Sequence, residues 1–267
     1  MTSRFLGVLV KGVFAVVVLP GCGGSSSAHR QGWTSTPTTT QAASRHGSPV
    51  EIAKDRLIGR TALLRLSDFP AGWTARPPEG ESKTTGIEKE AAACLHAPVE
   101  LVTEENPAKV QSQKFKGPTE QSVANAVTVT PSAQEAKQRF VVFDEPQTGP
   151  CLEAAVAKIF TYTLSHPKEA SDKLPPGAKV NTPKVEQMSF PTEGNESGAY
   201  RITVTVTDTA ATLEFKFYLD FALARVGRAG TSLSFMASQS PVSTLTEEEL
   251  TRLTVRRPQA ALQASGT

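Results

Sequence analysis

Residues 212–223 read TLEFKFYLDFAL, and they alternate without interruption. Leu213, Phe215, Phe217, Leu219, Phe221 and Leu223 share one face; Thr212, Glu214, Lys216, Tyr218, Asp220 and Ala222 share the other. A period of two over this length is the pattern of a half-buried β-strand, because successive side chains on an extended chain point to opposite sides. At roughly 3.3 Å per residue the strand spans about 40 Å, so a face of three Phe and three Leu needs helices or a second sheet to cover it. The opposite face reads as solvated, with Tyr218 as its one aromatic platform.

The flanking sequence extends this strand into a sheet. Tyr200, Ile202, Val204 and Val206 alternate with Arg201, Thr203, Thr205 and Thr207, and residues 208–210 turn into the strand just described. Gly227-Arg228-Ala229-Gly230 turns again into residues 231–238, so residues 198–238 form an antiparallel meander. Upstream, residues 179–190 carry strand signals with Pro183, which suits only a sheet edge. Residues 110–116 and 122–130, separated by Gly117-Pro118, read as a hairpin.

Helical patterns sit around these strands. Ile52 to Leu66 form an amphipathic opening that ends at Asp68-Phe69-Pro70-Ala71-Gly72-Trp73. Thr85-Gly86-Ile87-Glu88 is a capping box whose helix puts Ile87, Ala91, Cys94 and Leu95 on a buried stripe. Ser132 to Glu135 opens a second helix, ending before Pro146, and a third runs from near Pro150 to about Leu164 with Cys151 in its first turn. Residues 245–250 (LTEEEL) read as a capping box with a Leu245–Leu250 staple, opening a helix that stops near Arg257 and Pro258. Strands in blocks rather than single alternation with helices indicate an α+β fold. The expectation is an antiparallel sheet, built from the C-terminal meander and the hairpin, covered by helices on one face.

The N-terminus is of another kind. Arg4 precedes residues 5–20 (FLGVLVKGVFAVVVLP), apolar apart from Lys11, and Leu19-Pro20-Gly21-Cys22 leads into a Gly/Ser run. The apolar stretch is short for a membrane span and suits a signal peptide over residues 1–21. Leu19-Pro20-Gly21-Cys22 resembles the lipobox of bacterial lipoproteins, which implies that Cys22 is acylated with palmitate-class chains and becomes the mature N-terminus; Pro20 departs from that pattern. Residues 22–50 contain no acidic residue, and Ser, Thr, Gly and Pro fill 17 of the 28 positions from 23 to 50. Such a composition cannot bury enough apolar surface to offset its ordering entropy and reads as a tether. Residues 51–267 are then a single extracytoplasmic α+β domain.

Charge and motif content narrow the function. Removing residues 1–21 takes away Arg4 and Lys11 and lowers the formal charge from +2 to 0, which argues against an electrostatic binder of nucleic acid or anionic lipid. With Cys22 assigned to lipid, Cys94 and Cys151 remain, and an even pair in an exported protein reads as a disulfide. The alternatives for that pair are two buried thiols or a reactive nucleophile, for which only His96 and His166 offer a partner, both at loop positions. No phosphate loop, HExxH, GxSxG or zinc-spaced Cys/His set occurs, so no cofactor, metal or catalytic residue is expected.

The lipobox, the polar tether, the Leu66-Ser67-Asp68-Phe69-Pro70-Ala71-Gly72-Trp73 segment, the Cys94/Cys151 pair and the closing meander and helix together resemble actinobacterial lipoproteins with a sensor-type extracytoplasmic domain, related to that of mycobacterial PknH-type kinases. The resemblance covers most of residues 60–257 and implies a helix-and-sheet domain with a ligand-binding groove and no established catalytic residue. The function expected is therefore a membrane-tethered, non-enzymatic binding or sensor module with a small-molecule or protein partner. The alternatives are a carrier of lipid or another apolar molecule beneath the Phe-rich sheet, and a structural or interaction protein of the envelope.

Overall fold

A computed structural model of the chain describes residues 47–77, 92–98, 106–165, 178–208 and 213–266. The signal peptide, Cys22, the tether up to residue 46, and the capping box at Thr85 lie outside the described residues. The first described helix, α1 (Pro49–Ala62), opens on Ser48, whose hydroxyl accepts from Glu51 N while Glu51 Oε2 accepts from Ser48 N at 2.6 Å. A 3-10 turn (Leu66–Asp68) follows.

Nine described strands then build one antiparallel sheet. They are β1 (Thr74–Arg76), β2 (Lys109–Gln111), β3 (Lys114–Lys116), β4 (Ser122–Val129), β5 (Ala178–Val180), β6 (Lys184–Met188), β7 (Glu196–Asp208), β8 (Leu213–Val226) and β9 (Ala229–Ser238). The order is β1-β3-β4-β9-β8-β7-β5, with β2 also on β4 and β6 also on β7. The three strands of the expected meander are present, while its first turn, beyond Asp208, lies outside the described residues; the 227 turn takes Gly227 at φ +56, where a Cβ would be strained. Residues 179–190 do edge the sheet, but as two short strands on β7 with Pro183 in the break between them. Pro lacks the N–H that a continuous ladder would need.

Three further helices given in full among the described residues pack on this sheet: α2 (Ala133–Asp144), α3 (Thr148–Ser165) and α4 (Thr244–Ala264). The α+β class and the antiparallel sheet agree with the sequence reading, whereas the helices divide between the two faces. On one face Val156 of α3 joins Ile202, Val204, Val206, Phe217, Leu219 and Met236, and Tyr200 on the same face donates its hydroxyl to Phe143 O of α2 at 2.9 Å. On the other, Ile58 and Ala62 of α1 and Val255 and Leu262 of α4 meet Val127, Val129, Ala224 and Val226. That second face continues through Leu250, Ala222, Leu233, Phe235, Val123 and Phe115 to Phe69. The physical reason lies in β8, which is buried at the odd positions Phe217 and Leu219 and then at the even positions Asp220, Ala222, Ala224 and Val226, with Phe221, Leu223 and Arg225 half-buried. Small side chains there let α4 approach closely, so the fully buried face of the strand changes sides along its length and the opposite face stays half-buried.

The segment from Leu63 to Trp73 is fastened from three sides. Arg257 of α4 donates to Leu63 O at 2.9 Å and to both carboxylate oxygens of Asp68 at 2.6 and 2.8 Å. Burial pushes the Asp68 carboxyl up, but Arg257 and the Arg65 N–H outweigh it and hold the group below the usual carboxylate range. Phe69 stacks on Trp73 at 4.6 Å and meets Phe115 at 4.5 Å.

Helix α4 corrects the expected closing helix at both ends. Its cap is Ser243, whose hydroxyl accepts from Thr246 N, so Leu245 is 78% exposed and forms no staple. At the far end the helix continues through Pro258 to Ala264. An interior Pro costs about 3 kcal/mol in lost hydrogen bonding and steric conflict, yet Pro258 and Leu262 are both buried, which returns apolar contact of the same order.

Candidate functional site

Asp220 was expected on a solvated face, and the structure places it in the interior, 2% exposed. The cause is the register: Asp220 pairs with Arg201 on β7 and with Phe235 on β9, and the first turns of α4 lie over it. Arg201 grips it with two bonds, Nε to Oδ1 at 2.8 Å and Nη2 to Oδ2 at 2.7 Å, a planar bidentate pair. A second carboxyl, Glu247 on α4, descends onto the same place. It is 1% exposed, its Oε1 lies 3.6 Å from Arg201 Nη2, and that oxygen has no hydrogen-bond partner.

Two carboxyls and one guanidinium in a dry site cannot all carry charge cheaply. Burial, then the hydrogen bond to Asp220 and its negative charge, push the Glu247 carboxyl up to about 9, against the lowering pull of Arg201. Glu247 is therefore a neutral acid at neutral pH and donates its proton to the Asp220 carboxylate, leaving Arg201 and Asp220 as one compensated ion pair. The helix supports this placement. Glu247, Thr251, Thr254, Pro258 and Leu262 recur at helical spacing on the buried face of α4, with Thr251 Oγ1 donating to Glu247 O at 2.7 Å and Thr254 Oγ1 to Thr251 O at 2.9 Å. No apolar periodicity marks the start of such a stripe, so Glu247 read from sequence as an ordinary helix-start acid.

The sign of the pH dependence follows. The folded state holds the Glu247 proton up to about pH 9, while the unfolded chain releases it near the ordinary glutamate value of 4.5. The unfolded state thus binds fewer protons throughout that window, and stability falls as pH rises through it. Glu247→Gln keeps a donor toward Asp220 and removes the titration. Thermal unfolding followed across that window is expected to show a flatter profile for Glu247→Gln than for the native chain, and a higher Tm at the alkaline end. Parallel profiles would place the Glu247 carboxylate in water instead.

The other sequence-derived positions are distributed elsewhere. Tyr218 is half-buried two residues along β8 from Asp220 on the same face, beside the Arg201 charge and opposite Thr203 and Ala237. It borders the buried cluster, with exposed Lys216 further along the strand. Cys94 and Cys151 are joined in a disulfide. Cys151, in the first turn of α3, is 2% exposed, but Cys94 is exposed where an inward position was expected. Ala92 takes the interior position at 1%, and two residues of helical advance turn Cys94 outward. His96 lies just past these residues with φ 50, in a turn. Among the described residues no group of three or more His, Cys, Asp or Glu side chains converges as a metal site.

No family model matches the chain, and no curated protein matches it. Among solved structures it is similar to the extracellular domain of PknH from Mycobacterium tuberculosis, with 8% identity over 54% of this chain and 61% of that one and a TM-score of 0.30. The match thus spans less than two thirds of that domain's length. A likeness of this size is distant and establishes no family.

Proposed function

We propose that this protein is a lipid-anchored extracytoplasmic lipoprotein that acts as a non-enzymatic binding or sensor module. The observation that carries the reading is the Cys94–Cys151 disulfide in a chain whose remaining cysteine, Cys22, stands behind a signal-like apolar stretch. Disulfides persist in oxidising compartments outside the cytoplasm, and a lipobox cysteine is acylated there. Among the described residues no helix is long and apolar enough to cross a membrane. The half-exposed end of the sheet around Tyr218, Thr203 and Thr205, bordered by Arg201, supplies the polar, aromatic surface on which a small-molecule or protein partner binds.

The packing favours this reading over a carrier of apolar molecules. Phe217 is 7% exposed among Val156, Ile202, Val204 and Leu219, with Phe215 and Phe221 packed against the same cluster. A carrier would have to open that cluster to admit its cargo. The anchoring is tested by Cys22→Ser: cell fractionation is expected to move the protein from the membrane to the soluble extracytoplasmic fraction, and unchanged membrane association would overturn it.

A further inference from the structure

The zero net charge of the mature chain conceals an uneven distribution. From Cys22 to Arg65 there are six basic side chains, Arg30, Arg45, Lys54, Arg56, Arg60 and Arg65, against Glu51 and Asp55, a formal +4. The rest of the chain carries twenty basic and twenty-four acidic side chains, a formal −4. Asp55 is moreover buried and paired with Arg228 at 2.7 Å, so it does not temper the outer charge of α1.

The outward face of α1 has a matching pattern. Its inner face is Asp55, Ile58, Gly59 and Ala62. Opposite these, Val50 is 78% and Leu57 64% exposed, and helical spacing aligns them with exposed Ala53 in one stripe. Exposed Lys54 flanks the stripe on one side and exposed Arg56 and Arg60 on the other. Arg65 and the 44% exposed Leu66 continue the surface beyond the helix. An apolar stripe between basic side chains is the arrangement that lies in a lipid headgroup layer, with the aliphatic groups entering and the cations meeting lipid phosphates.

We propose that the outward face of α1 docks on the anionic lipid surface to which the chain is anchored, fixing the orientation of the domain. The proposal rests on the acylation of Cys22 for its biological setting, though the surface itself is a property of α1. Residues 23–47 are twenty-five residues of tether composition, with an r.m.s. reach of about 30 Å. An anchor at that distance holds α1 at an effective concentration in the millimolar range, so a weak contact suffices. Each basic side chain near an anionic surface raises partitioning about fivefold.

The test separates docking from anchoring. The full mature chain carrying Cys22→Ser is sedimented at low salt with vesicles of phosphatidylglycerol and phosphatidylcholine, and with phosphatidylcholine alone. Binding to the anionic vesicles only is expected, weakening as salt rises. Lys54→Ala with Arg60→Ala should lower it roughly twentyfold, and Leu57→Asp should lower it as well, with unfolding temperatures near that of the parent chain. Absence of binding to anionic vesicles, or binding insensitive to these substitutions, would overturn the proposal. So would a change in self-association without a change in vesicle binding, which would assign the face to a second copy of the chain. Acylation is read independently from the mass of the N-terminal peptide of the membrane-extracted native protein, so its failure leaves the vesicle result to be judged alone.

Discussion

Arg201→Leu is expected to destabilise the fold by about 3–5 kcal/mol, the cost of leaving one partner of a buried ion pair uncompensated. The side chain is 21% exposed but its two partners are 2% and 1%, so water cannot replace the two hydrogen bonds that Asp220 loses. Asp220 would then face the Glu247 carboxyl with no cation, and the cheapest response is separation of the first turns of α4 from β8. For a chain of this size the loss corresponds to a fall in Tm of roughly 10 °C, read by calorimetry or urea unfolding. Replacing all three groups together, as Arg201→Met, Asp220→Leu and Glu247→Met, should recover most of the loss, since well-packed apolar substitutes for a buried charged triad are often neutral or stabilising. An Arg201→Leu chain within 1 kcal/mol of the native one, a margin typical of exposed pairs, would show that Asp220 is solvated and that the cluster does not hold α4 down.

The second large effect belongs to the disulfide. Cys94 and Cys151 are 57 residues apart in sequence, and the chain-entropy model credits a loop of that length with about 4 kcal/mol, of which less is commonly realised. The double variant Cys94→Ala and Cys151→Ala should therefore unfold at a clearly lower urea concentration than the oxidised native chain, and dithiothreitol should bring the native chain to the same midpoint. Cys94 is exposed as a residue, whereas Cys151 is buried in the first turn of α3. Equal midpoints for the variant and the unreduced native chain would mean that the bond is not formed in the mature protein, and the compartment argument would fall with it.

The elements legible in the sequence are those whose patterns are local. Alternation from Tyr200 to Ser238 marked three strands and their order, because a period of two survives in any antiparallel sheet with a dry face. Pro183 marked an edge, and Ser132 a cap whose hydroxyl accepts from Glu135 N at 3.1 Å. The start of α4 was misplaced because Ser243 and Thr246 are both competent caps, and choosing between them depends on which residues must face the sheet. Starting at Ser243 brings Glu247, Thr251 and Thr254 inward, a polar stripe that apolar periodicity does not reveal.

Asp220 and Glu247 show the limit from the other side. A carboxylate within alternating Phe and Leu reads as exposed unless a cation meets it, and the cation here is Arg201, nineteen positions away. Only the register of β7 against β8 sets them opposite each other, and only the docking of α4 removes the water. The outward face of α1 follows the same rule, since Val50 and Leu57 become a surface once the opposite side of the helix is packed. By itself the sequence of this protein determined the long strands from Tyr200 to Ser238, the sheet edge at Pro183 and the available cysteines, all of which depend on neighbours along the chain. The burial of the Asp220 and Glu247 carboxyls against Arg201, the two-sided cover of the sheet and the exposure of Cys94 were decided by tertiary structure, because each depends on the electrostatics and packing of residues that meet only after folding.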